Sequence, residues 1–228
     1  MPLTTCVDVD FRRGGPSAGP EPAEGRPLLV PSAWCPVPAF DLGLSTQPIE
    51  VLTVGHSTRP LDDFLALLKA HGVERIVDVR TIPRSRHNPQ FNRETLPASL
   101  RGAGIGYIHV KALGGLRRAR PDSTNLGWEN ASFRGYADYM ETPEFARAIE
   151  RLVAMAHAKR IAILCAEAVP WRCHRSLIAD ALLARGHAVS HIMSLTSAKP
   201  HKLTSFAHVR GTQVTYPGIL PEAGDSRL

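Results

Sequence analysis

Eleven residues, Cys165-Ala-Glu-Ala-Val-Pro-Trp-Arg-Cys-His-Arg175, hold two thiols, a carboxylate, an imidazole and two guanidiniums. A thiol beside positive charge ionises near neutrality and becomes a nucleophile, so Cys165, with Arg172, His174 and Arg175 nearby, is the candidate for covalent chemistry. Glu167 is a candidate general acid or base, and His174 or His56 a candidate proton carrier. These residue types fit a cysteine-dependent transferase or hydrolase. Two other uses stay open. Cys165 also suits a small buried apolar position at the end of a core strand. Cys165, Cys173 and His174, joined by His56, also form a donor set soft enough for zinc, although the seven residues between the cysteines match no standard zinc spacing. No other cofactor is implied.

The elements that must position this segment read clearly. Residues 161–164 are an apolar run of strand type, and residues 176–185 repeat apolar positions at helical spacing before Gly186 stops them. Upstream, a strand at 50–54, a helix at 60–71 and a strand at 75–79 form a βαβ unit, with Ser57 or Thr58 as helix cap and Asp62 and Asp63 at its positive end. A helix at 93–101, a strand near 107–110, helices at 135–140 and 143–157 and a strand near 189–193 continue the alternation. The pattern predicts a single three-layer α/β domain with a mainly parallel sheet of about five strands and helices on both faces.

Such sheets bind ligands beyond the carboxyl ends of their strands, where helix N-termini favour anions. Three strand ends deliver polar groups to that edge: Gly55-His56-Ser57, Asp78-Val79-Arg80 and Cys165-Ala-Glu167. The expected ligand contacts are therefore Ser57, Asp78, Arg80, Arg172, Cys173 and Arg175, joined by Arg84, Ser85 and Arg86 from the basic loop that follows the second strand. Asp78 and Arg80 would equally pair with each other as buttresses. The basic loop would hold a phosphate or a base through its arginines and Phe91, or stand as a rigid surface loop with Phe91 plugging the core. The long loop at 113–131 has the length of a lid or binding loop.

The 228 residues are 43% hydrophobic and 21% charged, enough for one well-buried domain. Residues 1–47, rich in proline and glycine, read as a disordered leader, residues 48–212 as the domain, and residues 213–228 as a C-terminal tail. No apolar run is long enough to span a membrane and no signal peptide is visible, so a cytoplasmic protein with reduced thiols is expected. Of the net charge of +6, the excess sits between Arg75 and Arg134, where 11 Lys/Arg face 4 Asp/Glu. That segment suits an anionic small molecule or, as the alternative function, a nucleic acid bound on the basic surface with the cysteine loop purely structural.

Thr53-Val-Gly-His-Ser57, Asp78-Val-Arg80 with Pro83-Arg-Ser85, Leu113-Gly-Gly115, and Cys165-Ala-Glu167 with Cys173-His-Arg175 occur in an order that resembles the domain of unknown function 488 family, over about residues 49–209. The resemblance implies a compact α/β domain and brings no established reaction. A weaker likeness is to rhodaneses and cysteine phosphatases, which also lead from a cysteine loop into a helix. Here six residues, including the bulky Pro170 and Trp171, separate Cys165 from Arg172, unlike the shorter loops of small residues in those families.

Overall fold

In the computed structural model, residues 47–218 are described. The leader expected over residues 1–47 falls outside them, apart from Gln47. Strand β1 (Glu50–Gly55) is buried from Val51 onward. Helix α1 (Leu61–Ala70) turns Phe64, Leu67 and Leu68 inward, the spacing of one helical face. No side chain caps its N-terminus, so the cap expected from Ser57 or Thr58 is not made. Ser57 instead adopts left-handed backbone geometry, φ 49°, and its N–H donates to the Ala166 carbonyl at 2.9 Å. That turn ties the end of β1 to the cysteine loop.

Strands β2 (Arg75–Asp78), β3 (Gly106–His109), β4 (Ile161–Cys165) and β5 (Ala188–Ser194) join β1 in one parallel sheet, with β6 (Ser197–Pro200) added antiparallel at the edge in the order β3-β2-β4-β1-β5-β6. All five strands read from the sequence are present. Helices α2 (Leu96–Gly102), α3 (Ala131–Met140), α4 (Pro143–Ala158) and α5 (Arg175–Leu183) complete the layers.

Alternation along the strands divides the core in two. Val51, Val77, Ile161 and Ile163 face α3, α4 and α5, while Leu52, Val54, Ile76, Ala162 and Leu164 face α1 and α2. The adjacent strands β1 and β4 are thus followed by helices on opposite faces. Their carboxyl ends open into the crevice that defines a switch point in this class of sheet. The cysteine segment connects β4 to α5 there.

Two features go beyond the sequence reading. Strand β6 folds back on β5, and β7 (His208–Arg210) pairs with β8 (Gln213–Thr215) in a separate hairpin. These strands are short and mostly exposed, so they carry no apolar run to betray them. The domain boundary expected at residue 212 cuts this hairpin. Beyond it, Tyr216 is fully buried, its hydroxyl donating to Asp180.

Candidate functional site

Cys165 is the last residue of β4, and Cys173 stands just before α5; both are free and buried. Their sulfurs and a ring nitrogen of His174 lie within 4.8 Å of one another. Arg175 is almost wholly buried and holds three things at once. Its Nε donates to Cys173 Sγ at 3.5 Å, its Nη1 to Thr53 Oγ1 at 3.5 Å and its Nη2 to the Glu167 carbonyl. The neighbouring Cys165 thiol and the Arg175 charge pull the Cys173 thiol down, outweighing burial, whereas the neighbouring Cys173 thiol and then burial push Cys165 up. The two shifts run in opposite directions, and both favour ionisation at Cys173 over Cys165. Of the two sulfurs, Cys173 is the one beside the guanidinium and the start of α5, and Cys165 the one at the strand end.

The loop lies where it does because Gly55 lacks a side chain. A Cβ there would overlap the Glu167 carbonyl oxygen and reach within 2.8 Å of the Ala168 Cα. Over the sulfurs opens a pocket of about 350 Å³ lined by Cys165, Glu167, Cys173, His174, Arg172 and Leu116. Glu167 and Arg172 are exposed at its rim, and Glu167 Oε1 accepts the Val169 N–H at 3.1 Å. Leu116 is 77% exposed with φ 57°, a geometry that costs a branched side chain and marks this lip as imposed by its surroundings. Gly115 allows the lip to approach His174, since a Cβ would stand 3.1 Å from its Nδ1. His174 Nδ1 lies 3.6 Å from Cys173 Sγ, and its Nε2 is buried with no partner among the described residues.

The other expected site residues sit elsewhere. Gly55 pairs with Cys165 and Asp78 with Leu164, so strand parity sends the Asp78 side chain to the face opposite Cys165, and His56 follows it. The three strand ends share one edge of the sheet but not one face. Asp78 and Arg80 form a bidentate pair, with Nε to Oδ1 at 3.0 Å and Nη2 to Oδ2 at 2.6 Å. Arg80 also donates to the Phe91 carbonyl and to His56 Nε2, and Tyr107 donates to Asp78. His56 stacks on Phe91 at 4.2 Å and donates from Nδ1 to the Ser57 carbonyl. Burial, above all, holds its pKa down to about 4. These groups satisfy one another, as buttresses do, and Phe91 plugs the core. In the basic loop, Arg84 and Arg86 are exposed, while the Ser85 N–H donates to Asn92 and its hydroxyl accepts from the Asn88 N–H.

Sequence reasoning passed over the residues that hold Arg175. Thr53 Oγ1 meets His191 Nδ1 at 2.8 Å, His191 Nε2 meets His201 Nδ1 at 3.0 Å, and His201 Nε2 donates to Asp180 Oδ1 at 2.8 Å. With Thr53 donating to His191 Nδ1 and His191 Nε2 to His201, the tautomers that suit these contacts give one donor direction, from Arg175 through Thr53, His191 and His201 to Asp180. His191 is held to about 4, chiefly by burial, which keeps it neutral. The available signal was a histidine at an inward position of an apolar strand.

The long loop is pinned rather than free. Asn125, fully buried, donates to Asp138 and Glu141 and accepts from the Tyr216 N–H, and Arg117 lies 3.6 Å above the Tyr139 ring. Four of the basic residues counted between Arg75 and Arg134 are likewise committed internally: Arg80, Arg117, Arg120 and Arg134.

Compared with known families, residues 60–182 match the model of the domain of unknown function DUF488. The chain belongs to the DUF488 family. No match was found among curated proteins or among solved structures. The DUF488 segment runs from the approach to α1 nearly to the end of α5, so it holds both cysteines, Arg175 and the Asp78–Arg80 pair. Thr53 on β1, His191 on β5 and His201 just after β6, which brace Arg175, lie outside it. Among the described residues no helix is long and apolar enough to cross a membrane.

Proposed function

We propose that this DUF488 domain is a cysteine-dependent enzyme, a transferase or hydrolase, in which Cys173 attacks an electrophilic centre of an anionic, phosphate-bearing substrate. The observation that supports this most directly is the Cys173 sulfur receiving the Arg175 Nε–H beside a pocket open to solvent. In the covalent step the thiolate pair forms a bond from sulfur to the substrate. The leaving group departs with the pair of the bond that breaks and takes a proton from His174 or Glu167. Water or an acceptor then releases the adduct. Arg172, exposed at the rim, faces the substrate's negative charge, whereas Arg175 acts from beneath through the sulfur. The reading takes the protein as cytoplasmic, where both thiols stay reduced.

A second reading has one observation in its favour. Cys165, Cys173 and His174 offer three donor atoms within 4.8 Å, a cluster of the size zinc requires. Site-resolved alkylation against pH, with and without a chelator, separates the two. Fast modification of Cys173 persisting below pH 7 without chelator is the expected result. Reactivity released only by chelator would replace the nucleophile with a metal ligand, and equal inertness of both thiols would sink both readings. Nucleic-acid binding retains the exposed Arg84, Arg86, Arg93, Arg101, Lys111 and Arg118, while Arg80 and Arg120 are paired with Asp78 and Glu141.

A further inference from the structure

A second cavity, of about 460 Å³, adjoins the same β4–α5 loop and is lined by Trp128, Trp171, His191, Lys199, His201 and Lys202. It shares no lining residue with the cysteine pocket. No carboxylate lines it, and among the described residues neither lysine has an ion-pair partner. Two uncompensated ammonium groups on one small cavity favour an anion. Trp128 forms a fixed wall of the cavity. The Trp128 Nε1–H is buried with no partner among the described residues, although its ring is fixed by stacking on Phe133 at 4.7 Å and by Phe206 and Tyr216 at 4.9 and 5.4 Å. A buried indole N–H normally finds an acceptor, so this wall of the cavity keeps an unmet donor.

The remaining wall is aromatic. Trp171 is 63% exposed, a large apolar surface that folding leaves uncovered and that a planar ring would cover by stacking. The histidines have no ring nitrogen to spare, since both nitrogens of each are committed to the chain that ends at Asp180. They form a fixed floor, and recognition falls to the lysines and the exposed Trp171 ring. We propose that this cavity is a second binding site, for a small ligand of mononucleotide size that joins a planar ring to a phosphate. Its volume lies in the range of small-molecule sites. The inference stands apart from the cysteine chemistry, because none of its residues touches either sulfur.

The test is calorimetric titration of the full chain with adenosine 5′-monophosphate, with adenosine and with inorganic phosphate. The monophosphate should bind saturably and at least tenfold more tightly than either fragment. Replacing both lysines, Lys199→Ala with Lys202→Ala, should weaken the monophosphate at least tenfold and leave adenosine unchanged. Trp171→Ala should weaken both. All three positions are exposed, and thermal melts of each variant matching the parent would show that the fold is intact. Cys173→Ser should bind as the parent does. Absence of saturable binding by the monophosphate overturns the proposal. So does binding that the lysine and Trp171 variants leave intact but that Arg172→Ala or Cys173→Ser removes, an outcome that would put the nucleotide in the cysteine pocket and support the enzymatic reading instead. Binding of a single-stranded oligonucleotide without binding of the mononucleotide also overturns it.

Discussion

Two cysteines eight positions apart differ in their surroundings, and one arginine touches only the second. Arg175 donates to Cys173 and not to Cys165, and its own position is set by Thr53 and the Glu167 carbonyl. Replacing it with methionine keeps much of the volume and removes all five N–H donors. Arg175→Met should move the onset of Cys173 alkylation upward by at least one pH unit, while Arg172→Ala, at the exposed rim, leaves that onset in place. If both variants gave the parent profile, the guanidinium would not be what stabilises the thiolate. Acid sensitivity is also set by single residues. His56 and His191 are both held to about 4 by burial, below the unfolded value near 6.5. As pH falls through 6.5 the unfolded chain takes up protons that the folded chain refuses until about pH 4, so stability is complete above the first value and declines between the two. Allowing for partial solvation, denaturant unfolding at pH 5 should report a loss on the order of 2–3 kcal/mol relative to pH 7.5 from the two together. Constant stability across that window would show that both imidazoles take up protons in the native state as they do in the unfolded chain.

Among the elements, the contact between the end of β1 and the loop after β4 is the one on which the site depends. Gly55→Ala places a methyl against the Glu167 carbonyl and Ala168, both backbone, so the loop must move rather than a side chain. The expected cost is about 1–3 kcal/mol of stability, as for other overpacked positions. Because Arg175 holds that same carbonyl, the alkylation profile of Cys173 should shift as well. A stability loss with an unchanged profile would detach the loop from the thiolate. Five strands, the helical layers and the placement of the cysteine loop at a strand's carboxyl end were legible in the sequence, because each rests on local periodicity. The division of the site was not. Reading Gly55-His56, Asp78-Arg80 and Cys165-Glu167 as one constellation used the edge of the sheet alone. Which face each side chain takes depends on the register of β1 and β2 against β4, and register is set by packing between segments about a hundred residues apart. For the same reason Thr53, His191 and His201 went unnoticed: each looks like an isolated polar residue until β1, β5 and β6 lie side by side.

On the scale of the whole molecule, one buried carboxylate draws distant parts of the chain onto α5. Asp180 is fully buried and accepts from His201, from the Thr204 N–H and hydroxyl, and from the Tyr216 hydroxyl. The segment around Tyr216 reaches the long loop too, its N–H donating to Asn125 and its carbonyl accepting the Gly127 N–H at 2.9 Å. The C-terminal hairpin therefore closes a frame whose other members are the brace of Arg175 and the loop that bears Leu116. Ending the chain after Thr212 would remove β8 and Tyr216, leave Asn125 Oδ1 without its donor, and open the aromatic cluster around Trp128. Loss of one large buried aromatic alone costs about 3–5 kcal/mol, a large fraction of the stability of a domain this size. Tyr216→Phe separates packing from hydrogen bonding. It keeps the ring and deprives Asp180 of one donor among four, so its cost should be about 1 kcal/mol. Chain truncation after Thr212 should therefore yield protein that is unfolded or melts far below the parent, whereas Tyr216→Phe melts only a few degrees lower and keeps the Cys173 alkylation profile. A truncated chain that melted like the parent would show that the frame closes without its last strand, and that Asp180 needs only His201 and Thr204.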